Sequence, residues 1–126
     1  MPYSCMLVDD EEDVINAIRR TIDWESLGFS VPTEVHNGLE ALEFAEESAP
    51  DVVLTDIKMP YMDGLELAHR LKELYPNIRI VVFSGFDEFE YAREALRLEA
   101  EEYILKPIHA AELSKLFLRI REKLDA

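Results

Sequence analysis

Short apolar runs alternate with longer segments of helical period, and this alternation restricts the fold more than any other feature of the chain. The runs cover residues 5–8, 52–55, 80–83 and 103–105. Strands that lack polar alternation are those buried on both faces, as in a parallel sheet covered by helices. The intervening segments carry apolar residues at helical spacing. Their predicted buried faces are Leu39, Leu42, Ala45 and Ala49; Leu67, Leu71 and Leu74; and Leu113, Leu116, Phe117, Ile120 and Leu124.

A further strand is expected at residues 29–35, where Pro32 suits an edge position because proline cannot donate to a ladder. Strand and helix then alternate five times along the chain. This pattern predicts an α/β sandwich of three layers, with right-handed crossovers between the strands. We therefore expect a flavodoxin-like fold, in which five helices cover a five-stranded parallel sheet of the common order 2-1-3-4-5.

Size and charge narrow the class of protein. A chain of 126 residues is expected to form one domain, residues 1–126, with its own hydrophobic core. The single cysteine excludes an internal disulfide framework and favours a reducing compartment. A formal net charge of −14 argues against nucleic-acid binding by this segment. No apolar stretch is long enough to span a membrane and no signal peptide is recognisable, so we expect a cytoplasmic location.

Five polar residues follow or end the apolar runs, and together they predict a site. They are Asp9, Asp10, Asp56, Ser84 and Lys106. In open α/β sheets, ligands bind outside the carboxyl ends of the strands, where these side chains would meet. Carboxylate oxygens suit a hard ion such as Mg²⁺, which completes its shell with water and phosphate oxygens. A carboxylate beside such an ion can attack phosphorus and become an aspartyl phosphate.

Each of these residues also has an ordinary structural explanation. Asp9 and Asp10 could cap the following helix, and Asp56 could be a residue of a strand-end turn. Ser84 could belong to a loop and Lys106 to a surface turn. The conjunction favours function, because four separate strand ends each supply a suitable chemical group.

The motifs around these residues resemble the receiver domain of two-component response regulators over essentially the whole chain. The segments that carry the resemblance are Leu-Val-Asp-Asp-Glu at 7–11, Asp-Ile-Lys-Met-Pro at 56–60, Met-Asp-Gly at 62–64, Phe-Ser-Gly at 83–85 and Tyr-Ile-Leu-Lys-Pro at 103–107. The resemblance implies that Asp56 is the phosphoacceptor. It also implies that Asp10, Asp56 and the carbonyl of Lys58 bind Mg²⁺, with Asp9 acting on the metal mainly through water.

The same resemblance implies roles for three residues beyond the carboxylates. Lys106 would pair with the phosphoryl group and Ser84 would move in to hydrogen-bond it. Tyr103 would follow Ser84 inward. The family also implies a cis peptide bond before the matching proline, Pro107.

Partners and biological process are likewise implied by the resemblance. The phosphoryl donor would be a sensor histidine kinase, and a homodimer would form through the fourth helix, fifth strand and fifth helix. Residues 22–29 and 84–92 resemble receivers of transcription regulators that carry an AraC-type DNA-binding domain. No such basic helix-turn-helix is present in this sequence, so the chain is expected either to be a receiver taken from a longer protein, which the resemblance favours, or to act alone. Glu99 departs from the glycine that the family often has there, which bears on the end of the fourth helix.

Two competing hypotheses come from other classes. A metal-dependent phosphohydrolase could use an aspartyl-phosphate intermediate, but enzymes of the haloacid dehalogenase type need a second aspartate two positions after the nucleophile, where this chain has Lys58. A module that binds proteins without phosphate would show no Mg²⁺ binding. We therefore expect a signalling domain that is not an enzyme and at most assists its own phosphorylation and dephosphorylation.

Overall fold

The computed structural model describes residues 2–85, 93–95, 97 and 100–126, and its framework is a five-stranded parallel sheet. The strands lie in the order β2-β1-β3-β4-β5, which is the predicted order. Every neighbouring pair is parallel. Their bounds are β1 Cys5–Val8, β2 Thr33–Val35, β3 Val52–Asp56, β4 Arg79–Ser84 and β5 Glu102–Leu105.

Helices cover both faces of this sheet. They are α1 Glu12–Thr21, α2 Gly38–Glu47, α3 Gly64–Leu74 and the C-terminal helix Ala110–Asp125, with a short 3-10 helix at Glu25–Leu27. The predicted fourth helix falls largely on residues outside the described part of the chain, although residues 93–95 and 97 are helical. Glu99, the departure from the family pattern, also lies outside it. Among the helices that are described, none is long and apolar enough to cross a membrane.

The two faces of the sheet build two separate halves of the core. Successive residues of a strand point to opposite faces. Cys5 and Leu7 accordingly pack on the side of α1 and the C-terminal helix. Met6 and Val8 pack on the side of α2 and α3. All four residues of β1 are buried, which explains why its sequence shows no polar alternation.

The second strand is shorter than predicted. It begins at Thr33 rather than at Phe29, because Pro32 has no N–H to donate to a ladder. Phe29 instead forms an isolated bridge with Tyr3. The edge position predicted for this strand is confirmed.

The predicted buried face was right for the C-terminal helix and partly wrong for α2 and α3. Leu39 and Leu74 are each 62% exposed. In α2 the sheet side is formed by small residues, including Gly38 and Ala41. A Cβ on Gly38 would lie 2.6 Å from the sulfur of Met62, so a larger side chain there would require the Met62 side chain to move. Of the predicted face of α2, Ala45 is buried and Leu42 is partly buried against the core, whereas Leu39 is exposed.

An aromatic cluster joins residues 22–29 to the C-terminal helix. Trp24 and Phe29 contact Phe117 edge-on, with ring centroids 4.9 Å and 5.0 Å away respectively. The indole N–H of Trp24 also donates to the carbonyl of Arg19 near the end of α1. Trp24 and Phe29 thus tie the end of α1 to the C-terminal helix.

Candidate functional site

The register of the sheet brings the predicted residues to one edge. Asp56 ends β3 opposite Phe83, and Ser84 ends β4 opposite Leu105. Asp9 follows directly after β1, and its N–H donates to the carbonyl of Val35. Because parallel strands place their carboxyl ends at the same edge, the side chains that follow them converge there.

Three carboxylates form the centre of this site. Asp9, Asp10 and Asp56 each offer an oxygen within 4.8 Å of the others. Asp9 is fully buried, Asp56 is 5% exposed and Asp10 is exposed. The backbone N–H of Glu11 donates to Asp9 Oδ1 at 2.9 Å, and that of Ile57 donates to Asp56 Oδ1 at 2.9 Å. Asp9 therefore holds the turn that precedes α1, but it does not cap the helix, whose N-cap is Glu11 and has no side-chain cap hydrogen bond.

Lys106 is the cation that faces these carboxylates. Its Nζ lies 3.7 Å from Asp9 Oδ2 and 3.7 Å from Asp56 Oδ1. These distances give charge attraction without a hydrogen bond. Its backbone N–H donates to the carbonyl of Ser84 at 2.8 Å, which joins the end of β4 to the start of this turn. The Lys106–Pro107 peptide bond is cis, as the resemblance implies.

Burial and charge crowding raise the pKa of two carboxyl groups. Loss of solvent is the main cause that raises the pKa of Asp9 to about 6. The negative charge of Asp56 raises this pKa further, and the positive charge of Lys106 lowers it by less than Asp56 raises it. Burial also raises the pKa of Asp56, against the opposing effects of Lys106 and the Ile57 N–H. The site therefore favours an added positive charge.

The donor set fits a divalent cation. Asp9 Oδ2 is buried and has no hydrogen-bond partner among the described residues. Buried polar atoms are seldom left in this state unless a ligand or water satisfies them. Three carboxylates against one lysine leave net negative charge, and an all-oxygen set suits Mg²⁺.

The loop between β3 and α3 follows Asp56 directly and so borders the site. Lys58 lies in this loop, two residues after Asp56, with an exposed side chain. Asp63 caps α3 by accepting a hydrogen bond from the Glu66 N–H. A Cβ on Gly64 would lie 2.0 Å from the carbonyl oxygen of Asp56, so only glycine allows α3 to begin this close to β3.

Ser84 and Tyr103 occupy the neighbouring strands. Ser84 is 2% exposed at the end of β4. Tyr103 is half-buried in β5, where it pairs with Val82 and packs against the α2 and α3 side of the core. Their placement is compatible with the predicted roles, and those roles stay predictions.

Sequence reasoning missed two contributors to the site. The ring of Phe83 lies under Lys106, with its centroid 5.2 Å from Nζ, and so gives that cation an aromatic neighbour. Phe83 stands in the apolar run of β4 and in the Phe-Ser-Gly motif, and neither pattern reveals this contact. Gly64 had been quoted within a motif, but its steric role depends on the approach of a helix that a motif does not reveal.

Comparisons with known proteins agree on one family. The family model described as the response regulator receiver domain matches residues 5–118. The uncharacterized transcriptional regulatory protein YesN of Bacillus subtilis is 41% identical over 111 residues, which cover 88% of this chain and 30% of YesN. The transcriptional regulatory protein HptR of Staphylococcus aureus is 28% identical over 94% of this chain and 46% of HptR. The chain thus spans less than half the length of these relatives.

Solved structures give the same result. The REC domain of AraT, a response regulator from Geobacillus stearothermophilus, is 39% identical with a TM-score of 0.92, and the match covers 99% of this chain and 97% of that one. A two-component transcriptional regulator AraC from Clostridium phytofermentans is 30% identical with a TM-score of 0.89, over 97% of this chain and 95% of that one.

Proposed function

Because this chain belongs to the response regulator receiver domain family, we propose that it is a phosphorylation-dependent switch in which Asp56 accepts a phosphoryl group from the phosphohistidine of a sensor histidine kinase. The observation that carries the proposal is the cluster of Asp9, Asp10 and Asp56 beside Lys106 at the strand ends. Asp56 is the member that ends β3, the central strand of the sheet.

Within the described residues, the hydrogen bond from the Ile57 N–H and the approach of Lys106 both involve Oδ1 of Asp56. We therefore assign the attack on phosphorus to Oδ2. A bond forms between this oxygen and phosphorus while the bond from phosphorus to the histidine nitrogen breaks, and the histidine leaves with its electron pair. Lys106 offsets the negative charge that develops on the phosphoryl oxygens.

The predicted Mg²⁺ ligands are Asp10, Asp56 and the carbonyl of Lys58, with Asp9 acting through water. When bound there, the ion would supply positive charge to the phosphoryl oxygens and lower the repulsion between carboxylates. Asp9 has a second task in the chain itself, since it holds the start of the following turn through the Glu11 N–H.

After transfer, the site must accommodate added negative charge, for which a charge of about −1.5 to −2 on a Ser, Thr or Tyr phosphate is the nearest guide. We propose that Ser84 moves to hydrogen-bond the phosphoryl group and that Tyr103 follows it inward.

The surface that responds to phosphorylation would comprise the predicted fourth helix, β5 and the C-terminal helix, and it would be used for dimerisation. The process would be cytoplasmic control of transcription through a DNA-binding domain of the longer protein. The chain itself would not be an enzyme beyond assisting its own phosphorylation and dephosphorylation.

Intact-mass measurement with acetyl phosphate and Mg²⁺ tests the assignment. The wild-type chain should gain the mass of one phosphoryl group, and Asp56→Asn should gain none. Asp51→Asn is a matched control, because Asp51 lies at the opposite end of the same strand, where it accepts hydrogen bonds from Ser4. It should be modified as the wild type is. The same adduct on Asp56→Asn would overturn the proposal.

Steady turnover separates the switch from the alternative phosphohydrolase. With a small phosphate ester in excess, the switch predicts no sustained release of phosphate, since Lys58 stands where the hydrolase needs its general acid. Release that continues over many turnovers would support the hydrolase instead.

A further inference from the structure

A shallow groove separates α2 from α3 on the face of the domain opposite the C-terminal helix. It is distinct from the strand-end site and none of its residues takes part in the proposed phosphoryl transfer. Its lining consists of Leu42, Glu46, Arg70, Glu73, Leu74 and Tyr75.

The floor of this groove is apolar and accessible. Leu74 is 62% exposed, and Leu42 and Tyr75 are only partly buried. Leu39, also 62% exposed, lies three residues before Leu42 and therefore on the same side of α2. Isolated surface leucines need no explanation, but a run of apolar side chains along a groove between helices is typical of a binding surface.

The lining of the groove carries two carboxylates, Glu46 and Glu73, against one guanidinium, Arg70, and the helix α2 beside it is acidic. Helix α2 contains four glutamates and no lysine or arginine. Helix α3 contributes Glu66 and Glu73 against Arg70 and Lys72, so the two helices together carry a formal charge of −4 with histidine neutral. Arg70, the basic residue of the lining, is paired along its own helix with Glu66 at 3.5 Å.

From this combination we propose that the α2–α3 groove docks a basic amphipathic helix of a partner protein. Leucine-like side chains at i, i+3, i+4 and i+7 would enter the apolar floor, as in other helix-in-groove complexes. Lysine or arginine on either side would meet Glu46 and Glu73. The charge pattern selects this occupant over a second copy in a symmetric contact, which would oppose acidic surface to acidic surface, and over an anionic membrane surface.

The groove lies away from the phosphoacceptor site. In a parallel sheet covered by helices, each helix returns the chain towards the amino ends of the strands. Leu74 and Tyr75, at the end of α3, accordingly border a hollow with Asp51, which precedes β3. Substitutions here should leave the phosphorylation of Asp56 unchanged, so failure of this proposal and failure of the proposed function are distinguishable.

The test is an NMR titration of the isotope-labelled chain with a designed helical peptide. A peptide of about 14 residues spans about 21 Å as a helix, at 1.5 Å per residue. It would carry leucine at i, i+3, i+4 and i+7 and lysine on its other faces. Amide shifts should concentrate in α2 and α3, and Leu74→Lys and Glu46→Lys should each weaken binding about tenfold or more, the loss expected from one apolar anchor or one ion pair replaced by repulsion. Leu118→Lys is the matched control, because Leu118 is a 44% exposed leucine on the C-terminal helix.

Specificity is tested with a scrambled peptide of the same composition and charge, which should bind at least about tenfold more weakly. Acetyl phosphate should modify the Leu74→Lys chain at the wild-type rate. The proposal is overturned if the designed peptide does not bind, if the scrambled peptide binds equally well, or if Leu74→Lys behaves as Leu118→Lys does. Self-association abolished by Leu74→Lys, or binding of anionic vesicles at this groove, would assign the surface to another occupant and would equally overturn it.

Discussion

At the carboxyl end of the sheet buried carboxylates face one another, whereas at the amino end a partly buried carboxylate, Glu101, has a cation on each oxygen. Burial raises the pKa of Asp9 to about 6. Burial also pushes the pKa of Glu101 upward, but hydrogen bonds from Arg79 and Lys123 outweigh it and hold that pKa below its ordinary value. The same type of group is thus disfavoured in its charged form at one end and favoured at the other.

The geometry of the amino end explains the difference. Glu101 Oε1 accepts from Arg79 at 2.6 Å and Oε2 accepts from Lys123 at 2.7 Å. One carboxylate therefore joins the start of β4 to the end of the C-terminal helix. At the carboxyl end, Lys106 stays 3.7 Å from both Asp9 and Asp56.

This contrast separates stabilisation from function. The chain supplies all the partners that Glu101 needs, so that end contributes to stability. Among the described residues Asp9 Oδ2 has no hydrogen-bond partner, and the three clustered carboxylates could hold a metal ion. Local rules are most often broken where a protein binds something.

The largest stability effect should come from Asp9→Asn. The folded pKa of Asp9 lies above its ordinary value of 3.8, so the folded state binds the proton more tightly and stability is lost as pH rises from about 4 to about 6. Above that range the charged form costs on the order of 3 kcal/mol, which the asparagine variant avoids. Urea unfolding without divalent ions should show the variant to be more stable at about pH 7.5 and close to wild type near pH 4.

Asp13→Asn is the control for this prediction, because Asp13 is exposed in the first turn of α1. Its effect should stay below about 1 kcal/mol at either pH. Added Mg²⁺ should raise the unfolding free energy of the wild type more than that of Asp9→Asn, because an ion that binds the folded state more tightly than the unfolded state stabilises the folded state. An Asp9→Asn chain less stable than wild type at about pH 7.5 would contradict the account of this end of the sheet.

A smaller effect of the opposite sign is expected for Glu101→Gln. The folded pKa of Glu101 is lowered, so its contribution is present above the ordinary value of 4.5 and is lost as pH falls. The variant leaves Arg79 and Lys123 without their carboxylate, and we expect a loss of about 1–2 kcal/mol at neutral pH, moderated because both cations are partly solvated. Urea unfolding across pH should show its difference from wild type shrinking towards acid. If the difference in unfolding free energy between Glu101→Gln and wild type grew towards acid pH, the contrast between the two ends of the sheet would be contradicted.

The smallest effect should come from the neighbouring residue. Glu102 pairs with Arg119 at 2.8 Å, but their side chains are 41% and 58% exposed. Glu102→Gln should therefore change the unfolding free energy by less than about 0.5 kcal/mol, with most of that removed by high salt. A loss equal to that of Glu101→Gln would show that burial does not distinguish the two pairs.

The fold was largely predictable because its strands are apolar on both faces. The runs ending near Val8, Asp56, Ser84 and Leu105 lie where the strands end. The edge strand was the exception, since three residues leave too short a pattern for its start to be located.

Helix orientation was predictable only where large residues face the core. The C-terminal helix buries Leu113 and Phe117 as expected. Helix α2 uses Ala41 and Ala45 for its buried side, and leaves Leu39 in solvent. The spacing of apolar residues along a helix does not show how closely that helix approaches its neighbours.

The members of the candidate site follow from sequence, because parallel strands deliver whatever follows them to one edge. Asp9, Asp56, Ser84 and Lys106 were placed together on that ground, and the structure places them at the same edge. Their functional roles rest on the proposal above.

The sequence by itself thus determined the parallel α/β fold, the sheet edge at which the strand-end side chains meet, and the chemical groups at that edge. These depend on local periodicity and on the common direction of parallel strands. Only the tertiary structure decided that Asp9 is buried with an oxygen that has no partner in the described part of the chain, and that Phe83 lies beneath Lys106. It alone paired Glu101 with two cations. Solvent exposure and distances between side chains depend on how separate elements pack, and this determines whether a buried carboxylate is stabilised by the chain or left for a ligand.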